Sequence, residues 1–314
     1  MSVESLAVTT KVAQKPERPL REGLSSILPQ LVLAPSLVAT FVYVFLFGAW
    51  TIWISVSNSG DLPDYSFAGF HHYAELWVNL RWRIAYTNLF VFSALYVIGT
   101  MLIGLALAIL IDQRIRAEAV FRTIYLYPLA ISFVVTGTVW RWLFSPTTGF
   151  ESMMHLLGWA SFKFDWIVQR ELAIYTIVLT GIWQASGFVM ALFLAGLRSV
   201  DPDLIKAAQI DGASMPRIYR RIILPAIGPI FIAVSVVLLQ FAIKTFDLII
   251  AMTQGGPGIS TTMPANYVYD LIFQRGQLAE GAAAAIMILV ALALILVPYT
   301  MWSNLRQRRE ARGG

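Results

Sequence analysis

Six uncharged stretches dominate the sequence and constrain its fold more than any other feature. They cover residues 23–60, 84–111, 123–140, 172–197, 222–243 and 281–305, and none contains Asp, Glu, Lys or Arg. A helix needs about 20 largely apolar residues to cross a bilayer. The chain is 58% hydrophobic and 13% charged, whereas soluble domains carry about 25% charged residues. The pattern predicts an all-α membrane protein with about six transmembrane helices and excludes an ordinary soluble domain.

Three parts are predicted along the chain. Residues 1–27 form a cytoplasmic N-terminal segment, residues 28–305 a transmembrane domain, and residues 306–314 a basic cytoplasmic tail. Spans are predicted at about 31–56, 84–111, 119–142, 172–197, 222–252 and 280–303. The first apolar stretch is much longer than the 7 to 15 residues or so of a signal peptide, so we interpret it as a retained span. The uncharged stretch 248–269 is rich in Gly, Pro, Ser and Thr and is interpreted as the end of span five followed by a loop.

Lys and Arg residues are distributed unevenly between the two sides of the predicted spans. One side carries 16 of them and the other only five. Because cytoplasmic segments are enriched in these residues, both termini are predicted in the cytoplasm. The 16 residues are spread over four segments, which argues against one nucleic-acid-binding patch.

Cysteine and histidine usage limits the chemistry that the chain can perform. The sequence has no Cys, which excludes disulfides and Cys-ligated zinc. Its three His residues lack the spacing of a helical metal pair. We therefore predict neither a metal site nor a catalytic site, and no cofactor bound by this chain.

The cytoplasmic segment 198–225 has strong helix-boundary signals. Asp201 followed by Pro202 predicts a helix that begins at Pro202 and runs to about Asp211. Gly212 stands where a helix ends in a left-handed residue, and Ser214 is predicted to cap a second short helix that ends near Pro225. Two short helices around a glycine corner would form a stiff protrusion. Its apolar side chains, Leu204, Ile205 and Ile218, are expected to hold it at the bilayer surface.

This segment also carries a specific motif. Lys206-Ala207-Ala208, three residues, Gly212, nine residues and then Ile222-Ile223-Leu224-Pro225 resembles the EAA loop of ABC importer permeases. Lys206 stands where that family has Glu, and a cation cannot make the same contact at this first position. The resemblance implies a type I importer fold, in which the loop couples the permease to an ATPase. The implied coupling residues are Lys206, Ala207, Ala208, Asp211, Gly212, Ala213, Leu224 and Pro225.

Other motifs narrow the resemblance to carbohydrate permeases. Arg122 and Pro128 at R-x5-P spacing, followed by Trp140-Arg141-Trp142, resemble a stretch of the sugar-type permeases. Gly255-Gly256-Pro257 is similar to the T-x-G-G-P segment after span five of that subgroup, and Gly281 with the alanines after it is similar to the entry to its last helix. The resemblance is to the family of the maltose and glycerol-phosphate permeases, and most closely to members for glucose and mannose.

The resemblance implies several partners. A second, homologous permease would complete the pathway, a dimer of ABC ATPase subunits would bind ATP and Mg²⁺, and a periplasmic binding protein would deliver the sugar. Consistent with this division of labour, the chain has no G-x4-G-K-[ST] phosphate loop. Gly255, Gly256 and Pro257 are expected to face the binding protein.

Polar and aromatic residues within spans four and five are candidates for a substrate pathway, since polar groups at membrane depth are usually functional. Lys244 and Asp247 are three residues apart; they could neutralise each other, or Lys244 could face the pathway and donate to sugar hydroxyls or an anionic group. Trp183 could equally pack between helices. The candidate set, part of it carried over from the maltose system, is Phe133, Trp183, Gln184, Phe188, Gln240, Lys244, Thr245 and Asp247.

The sequence leaves three alternative functions to consider. A proton-coupled secondary transporter could use Lys244 and Asp247, but such carriers usually have more spans and internal repeats. An intramembrane enzyme would need paired catalytic groups, and the spans have no His, no Cys and no pair of Glu. An ABC permease for a non-sugar solute is the third alternative, against which the Gly-Gly-Pro segment argues.

Overall fold

The computed structural model describes residues 32–113 and 115–310. The predicted N-terminal segment 1–27, Arg114 and the last four residues of the predicted tail lie outside the described residues. The described chain divides into two units, one that ends at Thr51 and one that begins at Ile52. The first unit is the larger part of helix α1, Val32–Ser55, which includes a π-helical segment at Phe41–Leu46.

The second unit contains helices only, apart from one isolated bridge between Ser57 and Phe67, within the described residues. Its first half is α2 (His71–Val78), α3 (Leu80–Asp112), α4 (Glu118–Ala130), α5 (Phe133–Leu143), α6 (Phe150–Leu156) and α7 (Ala173–Arg198). Its second half is α8 (Pro202–Ile210), α9 (Met215–Ala226), α10 (Gly228–Ile243), α11 (Asp247–Met252), α12 (Pro264–Tyr269) and α13 (Leu278–Glu310).

Four helices of the described chain, α1, α3, α7 and α13, are long and apolar enough to cross a membrane alone. The number rises to six if two bent pairs each count as one span: α4 with α5, which meet at 99°, and α9 with α10, which meet at 64°. The fold is the expected all-α membrane architecture.

Helix α7 lies at the centre of the second unit. In its most apolar stretch of 18 residues, 67% of the residues are buried, compared with 28% in α3 and 22% in α13. It packs along α3 and against α4, α5, α10 and α11. Gly187 allows this packing, because a Cβ at that position would overlap the carbonyl group of Tyr125 in α4.

The third predicted span is broken in the middle. Pro128 has no N–H to continue the helical hydrogen bonds of α4, and Ile131 adopts an extended conformation. Ser132 then caps α5 by accepting from the N–H of Val135. We call Ile131–Ser132 the first break.

The fifth predicted span, 222–252, is also interrupted. Helix α10 ends at Ile243, and α11 begins only at Asp247. We call residues 244–246 the second break. The two helices that follow the breaks, α5 and α11, pack against each other at Gly137, where a Cβ would approach the Cβ of Ala251 to 2.6 Å.

Candidate functional site

The coupling loop, residues 198–225, forms a helix, a corner and a second helix. Helix α8 begins after Asp201, whose carboxylate accepts a hydrogen bond from the N–H of Asp203 at 2.9 Å. At its other end the N–H of Gly212 donates to the carbonyl of Gln209, and that of Ala213 donates to the carbonyl of Ala208, both at 3.0 Å. These two bonds are a Schellman motif, which satisfies two of the last carbonyls of α8.

Gly212 makes the corner possible because its φ is +76°, a conformation in which a side chain costs energy. Nothing lies within 4 Å of the position that a Cβ would occupy there, so the constraint on this residue is conformational. Ser214 is the N-cap residue of α9, but its side chain makes no capping hydrogen bond. Gln209 instead joins the two helices by donating to the sulfur of Met215 at 3.5 Å.

The apolar residues of the loop point in different directions. Ile218 is buried, and Ile205 packs against the main core. Leu204 and Ile210 are 55% and 86% exposed. Leu204 and Ile210 together leave an exposed apolar surface on α8, and the prediction that Leu204 lies against the bilayer surface stays a prediction.

Lys206, which stands at the position of the family's Glu, pairs with a neighbour on its own helix. Its Nζ lies 2.8 Å from Oδ1 of Asp203, and both side chains are exposed. An exposed i,i+3 pair contributes only a few tenths of a kcal/mol. A carboxylate is nevertheless held beside this position, although it comes from Asp203.

An ion-pair cluster lies at the base of the loop and is not predicted from the sequence. Arg198, the last residue of α7, lies 2.9 Å from Glu118 and 3.4 Å from Asp112, and Glu118 also pairs with Arg122 at 3.2 Å. The cluster joins the ends of α3, α4 and α7. Glu118 and Arg122 are i,i+4 neighbours on α4, a spacing that the sequence shows. Arg198 lies far from both in sequence, so no local pattern signals its place in the cluster.

Gln184 connects α7 to the first break. Its side chain is 2% exposed, and its Nε2 donates to the carbonyl of Ile131 at 3.0 Å. Its Oε1 has no partner among the described residues. The amide thus stabilises the bend of span three, while its oxygen is buried beside that bend.

The aromatic candidates cluster in two pairs. Trp183 is 39% exposed and meets Trp140 edge to face, with ring centroids 5.4 Å apart. Phe188 of α7 meets Phe241 of α10 at 6.2 Å. Phe133, the first residue of α5, is 43% exposed.

The remaining pathway candidates lie at the second break. Lys244 and Asp247 are exposed, and no ion pair joins them within the part of the chain that the structure describes. The pair that would neutralise both charges is thus not formed, because α10 ends before Lys244 and α11 begins at Asp247, so the two residues do not share the face of one helix. Thr245 donates back to the carbonyl of Phe241 at 2.9 Å, and Gln240 is partly buried one turn before the break.

The Gly-Pro loop, residues 253–263, follows α11 and includes the predicted Gly255-Gly256-Pro257 segment. Asn88 of α3 donates to the carbonyls of Ser260 at 2.7 Å and of Thr262 at 3.0 Å. Inside the loop the hydroxyls of Thr253 and Thr261 are 2.8 Å apart. The Gly-Pro loop is therefore fixed to the transmembrane helices.

A second set of contacts holds the neighbouring helices on this face. Asp270 accepts from Arg81 at 2.6 Å and from Arg275 at 2.8 Å, and the guanidinium of Arg81 lies over the ring of Tyr267. Burial raises the pKa of Tyr267 to about 12. This phenol stays protonated at physiological pH and donates to Glu280.

Comparison with known proteins adds three findings. The family model of binding-protein-dependent transport system inner membrane components matches residues 100–310. A probable ABC transporter permease of Pyrococcus horikoshii is 38% identical, over 89% of this chain and 96% of its own. A xylose/arabinose import permease of Haloferax volcanii is 35% identical, over 76% of this chain and 75% of its own.

One solved structure is similar to most of the chain. It is a crystal structure of a bacterial ABC transporter involved in the import of the acidic polysaccharide alginate, and it superimposes with a TM-score of 0.76. The alignment covers 90% of this chain and 98% of that one at 24% identity. At that identity the likeness concerns the fold.

Proposed function

The chain belongs to the family of binding-protein-dependent transport system inner membrane components, and we propose that it is a permease subunit of an ATP-driven sugar importer. It would form the translocation pathway together with a second permease. Two ATPase subunits would supply energy from the cytoplasm, and a binding protein would deliver the sugar from the other side. Both termini would lie in the cytoplasm of a cell whose membrane the chain crosses several times.

The observation that carries this proposal is the geometry of the coupling loop. Helix α8 is capped at both ends and turns through Gly212 into α9. Its exposed apolar surface, Leu204 and Ile210, fits a groove on a partner. Because α9 leads into the transmembrane helix α10, a displacement of α8 would be passed to the membrane domain, as alternating access requires.

ATP and Mg²⁺ would bind to the partner subunits. The permease itself is not a catalytic subunit, in keeping with its sequence, which has no phosphate-binding loop. Its task would be mechanical: it converts closure of the ATPase dimer into opening and closing of the pathway.

We place the substrate pathway beside the two breaks. Irregular backbone at membrane depth is tolerated only where protein buries it or where it lines a water-filled cavity, and broken helices mark binding sites in other transporters. Lys244 is exposed at the second break, and Oε1 of Gln184 is unpartnered beside the first. A sugar offers hydroxyls for both, and the ring of Phe188 or Trp183 could cover one of its C–H faces.

The substrate pathway is tested with Lys244→Ala. We expect a higher KM for sugar uptake and unchanged assembly with the ATPase, which co-purification measures. An unchanged KM would restrict Lys244 to a structural role.

Reconstitution tests the proposed function. The permease, its partner permease and the ATPase are purified together and placed in liposomes, with the binding protein encoded beside this gene added outside. We expect uptake of the sugar that this binding protein retains in calorimetry, and uptake should require both ATP and the binding protein. Sugar counterflow by the chain alone, without the ATPase, would instead favour a secondary transporter.

A further inference from the structure

The Gly-Pro loop presents backbone N–H groups next to an arginine. Gly258 has a φ of +64°, and among the hydrogen bonds of the described residues the N–H groups of Gly258 and Ile259 donate to no acceptor. The guanidinium of Arg170 lies 3.7 to 3.9 Å from the position that a Cβ on Gly258 would occupy. Successive free N–H groups around a left-handed residue form a concavity that binds anions.

A cavity of about 390 Å³ adjoins the same loop. Its wall includes Gly256, Pro257, Thr253, Ser145 and Arg141, and Arg141 is the one charged residue of this wall in the described chain. No carboxylate of the described residues lies within 4 Å of the guanidinium of Arg141 or of Arg170. Arg141, Arg170 and the two backbone N–H groups thus lie along one short segment, and neither arginine has an acidic partner among the described residues.

The platform that carries these groups is rigid. Asn88 fixes the carbonyls of Ser260 and Thr262 to α3, and the bond between Thr253 and Thr261 closes the loop. Preorganised donors bind an anion without a further cost of ordering the loop. The charge bias of the sequence predicts this face to be extracytoplasmic.

We propose that Arg170, the N–H groups of Gly258 and Ile259, and Arg141 in the adjoining cavity form a docking site for acidic side chains of the extracytoplasmic binding protein. A carboxylate matches the forked donors of arginine and the paired amides. Docking of a folded protein through a few carboxylates steers its approach and orients it over the pathway. The inference rests on the proposed function, because it concerns the partner that the importer requires.

Replacement of both arginines tests the proposal in the complete transporter. The double variant Arg141→Gln/Arg170→Gln is assembled with its partner subunits in nanodiscs, and its affinity for the sugar-loaded binding protein is measured at low and moderate salt. We expect Kd to rise about tenfold or more at low salt. The salt dependence of binding should also flatten, because exposed charges at this distance are screened.

Lys163→Gln is the matched control. Lys163 is exposed in the loop before Arg170. Its replacement by Gln removes one charge of the same sign from the same face. Its variant should bind the binding protein as the unmodified transporter does. Because the three residues are exposed, thermal midpoints should agree among all variants, and that measurement separates a docking defect from misfolding.

The possible results have distinct meanings. An unchanged Kd and salt dependence in the double variant would overturn the docking site while leaving the importer function intact. Direct binding of a sugar acid to the transporter without binding protein, lost in the double variant, would overturn it in favour of a substrate site. Failure of the binding protein to bind or stimulate even the unmodified complex would overturn both proposals. Rescue of Arg170→Glu by an Asp→Lys or Glu→Lys change on the binding protein would support the docking site.

Discussion

The coupling loop and the first break both interrupt helices, but different forces hold them. The corner at Gly212 is closed by hydrogen bonds between residues three to five positions apart, and nothing touches the position of its missing side chain. The bend at Ile131 is instead held by Gln184, 53 residues away, and by the approach of α4 to Gly187. One interruption is local and exposed, and the other depends on tertiary packing.

This difference suits two distinct tasks. A locally determined corner keeps its shape when the loop is pulled by a partner, since its own backbone hydrogen bonds close it. A bend supported by neighbouring helices changes when those helices move, which a pathway that opens and closes requires.

The largest effect that separates the two regions is expected from Gly187→Ala. A Cβ here would overlap the carbonyl group of Tyr125, and backbone cannot yield as a flexible side chain does. We expect the free energy of unfolding to fall by about 3 kcal/mol or more. The thermal midpoint of the purified protein should fall clearly as well. Gly228→Ala is the control, because nothing lies within 4 Å of that position; equal midpoints for the two variants would contradict the tight packing of α4 on α7.

At the corner, Gly212→Val should weaken coupling while the protein remains folded in the membrane. A β-branched residue resists the left-handed conformation, at a cost of about 1 to 2 kcal/mol, so we expect roughly a tenfold loss of ATP-dependent uptake. Gly212→Asn should retain most activity, since Asn tolerates this conformation and the position is open. A similar loss in both variants would show that bulk, not backbone conformation, is the constraint.

Gln184→Leu tests the support of the first break directly. It removes the donor to the carbonyl of Ile131 and leaves that buried group unpaired, at a cost of about 1 to 3 kcal/mol. The thermal midpoint of the purified variant should fall as a result. If Oε1 also binds substrate, Gln184→Leu, which removes this acceptor, will in addition raise the KM for sugar. Unchanged stability in the same variant would remove Gln184 from the support of the bend.

The smallest effect is expected at the base of the coupling loop. Arg198 pairs with Glu118 and Asp112, but the three side chains are 28% to 41% exposed, and solvent screens such pairs so that they contribute little to stability. Arg198→Gln should therefore change the thermal midpoint by only about 2 to 4 °C. High salt should weaken the difference between the variant and the unmodified protein; a loss as large as that of Gly187→Ala would mean that the cluster is more important than its exposure suggests.

The sequence predicts the coupling loop, which local signals determine, better than the first break, which depends on tertiary contacts. Asp201, Pro202 and Gly212 are boundary signals whose meaning depends on the residues beside them, so the helix and corner of the coupling loop could be predicted. The resemblance to importer permeases and the all-α membrane fold are confirmed by the comparisons and the structure. Pro128 indicates a weakness in span three, but the 99° bend depends on contacts with α7 that no local pattern contains.

The second break shows the same limit. A helical reading of residues 240–247 places Lys244 and Asp247 on one face, whereas α10 ends before Lys244 and a new helix starts at Asp247. The apolar stretch around the break has no Pro or Gly to signal an end. The packing of α11 on α5, which accompanies the turn, joins residues that are distant in sequence and is not visible in a local pattern.

The burial of α7 has a practical consequence for engineering this transporter. Its glycines and the amide of Gln184 fit against three neighbouring helices, so a library that randomised this helix would consist mostly of unstable proteins. The exposed residues at the second break, such as Lys244 and Asp247, can be varied with little loss of stability. We therefore expect that an altered cargo will be selected most readily from substitutions there, with α7 kept unchanged as the frame.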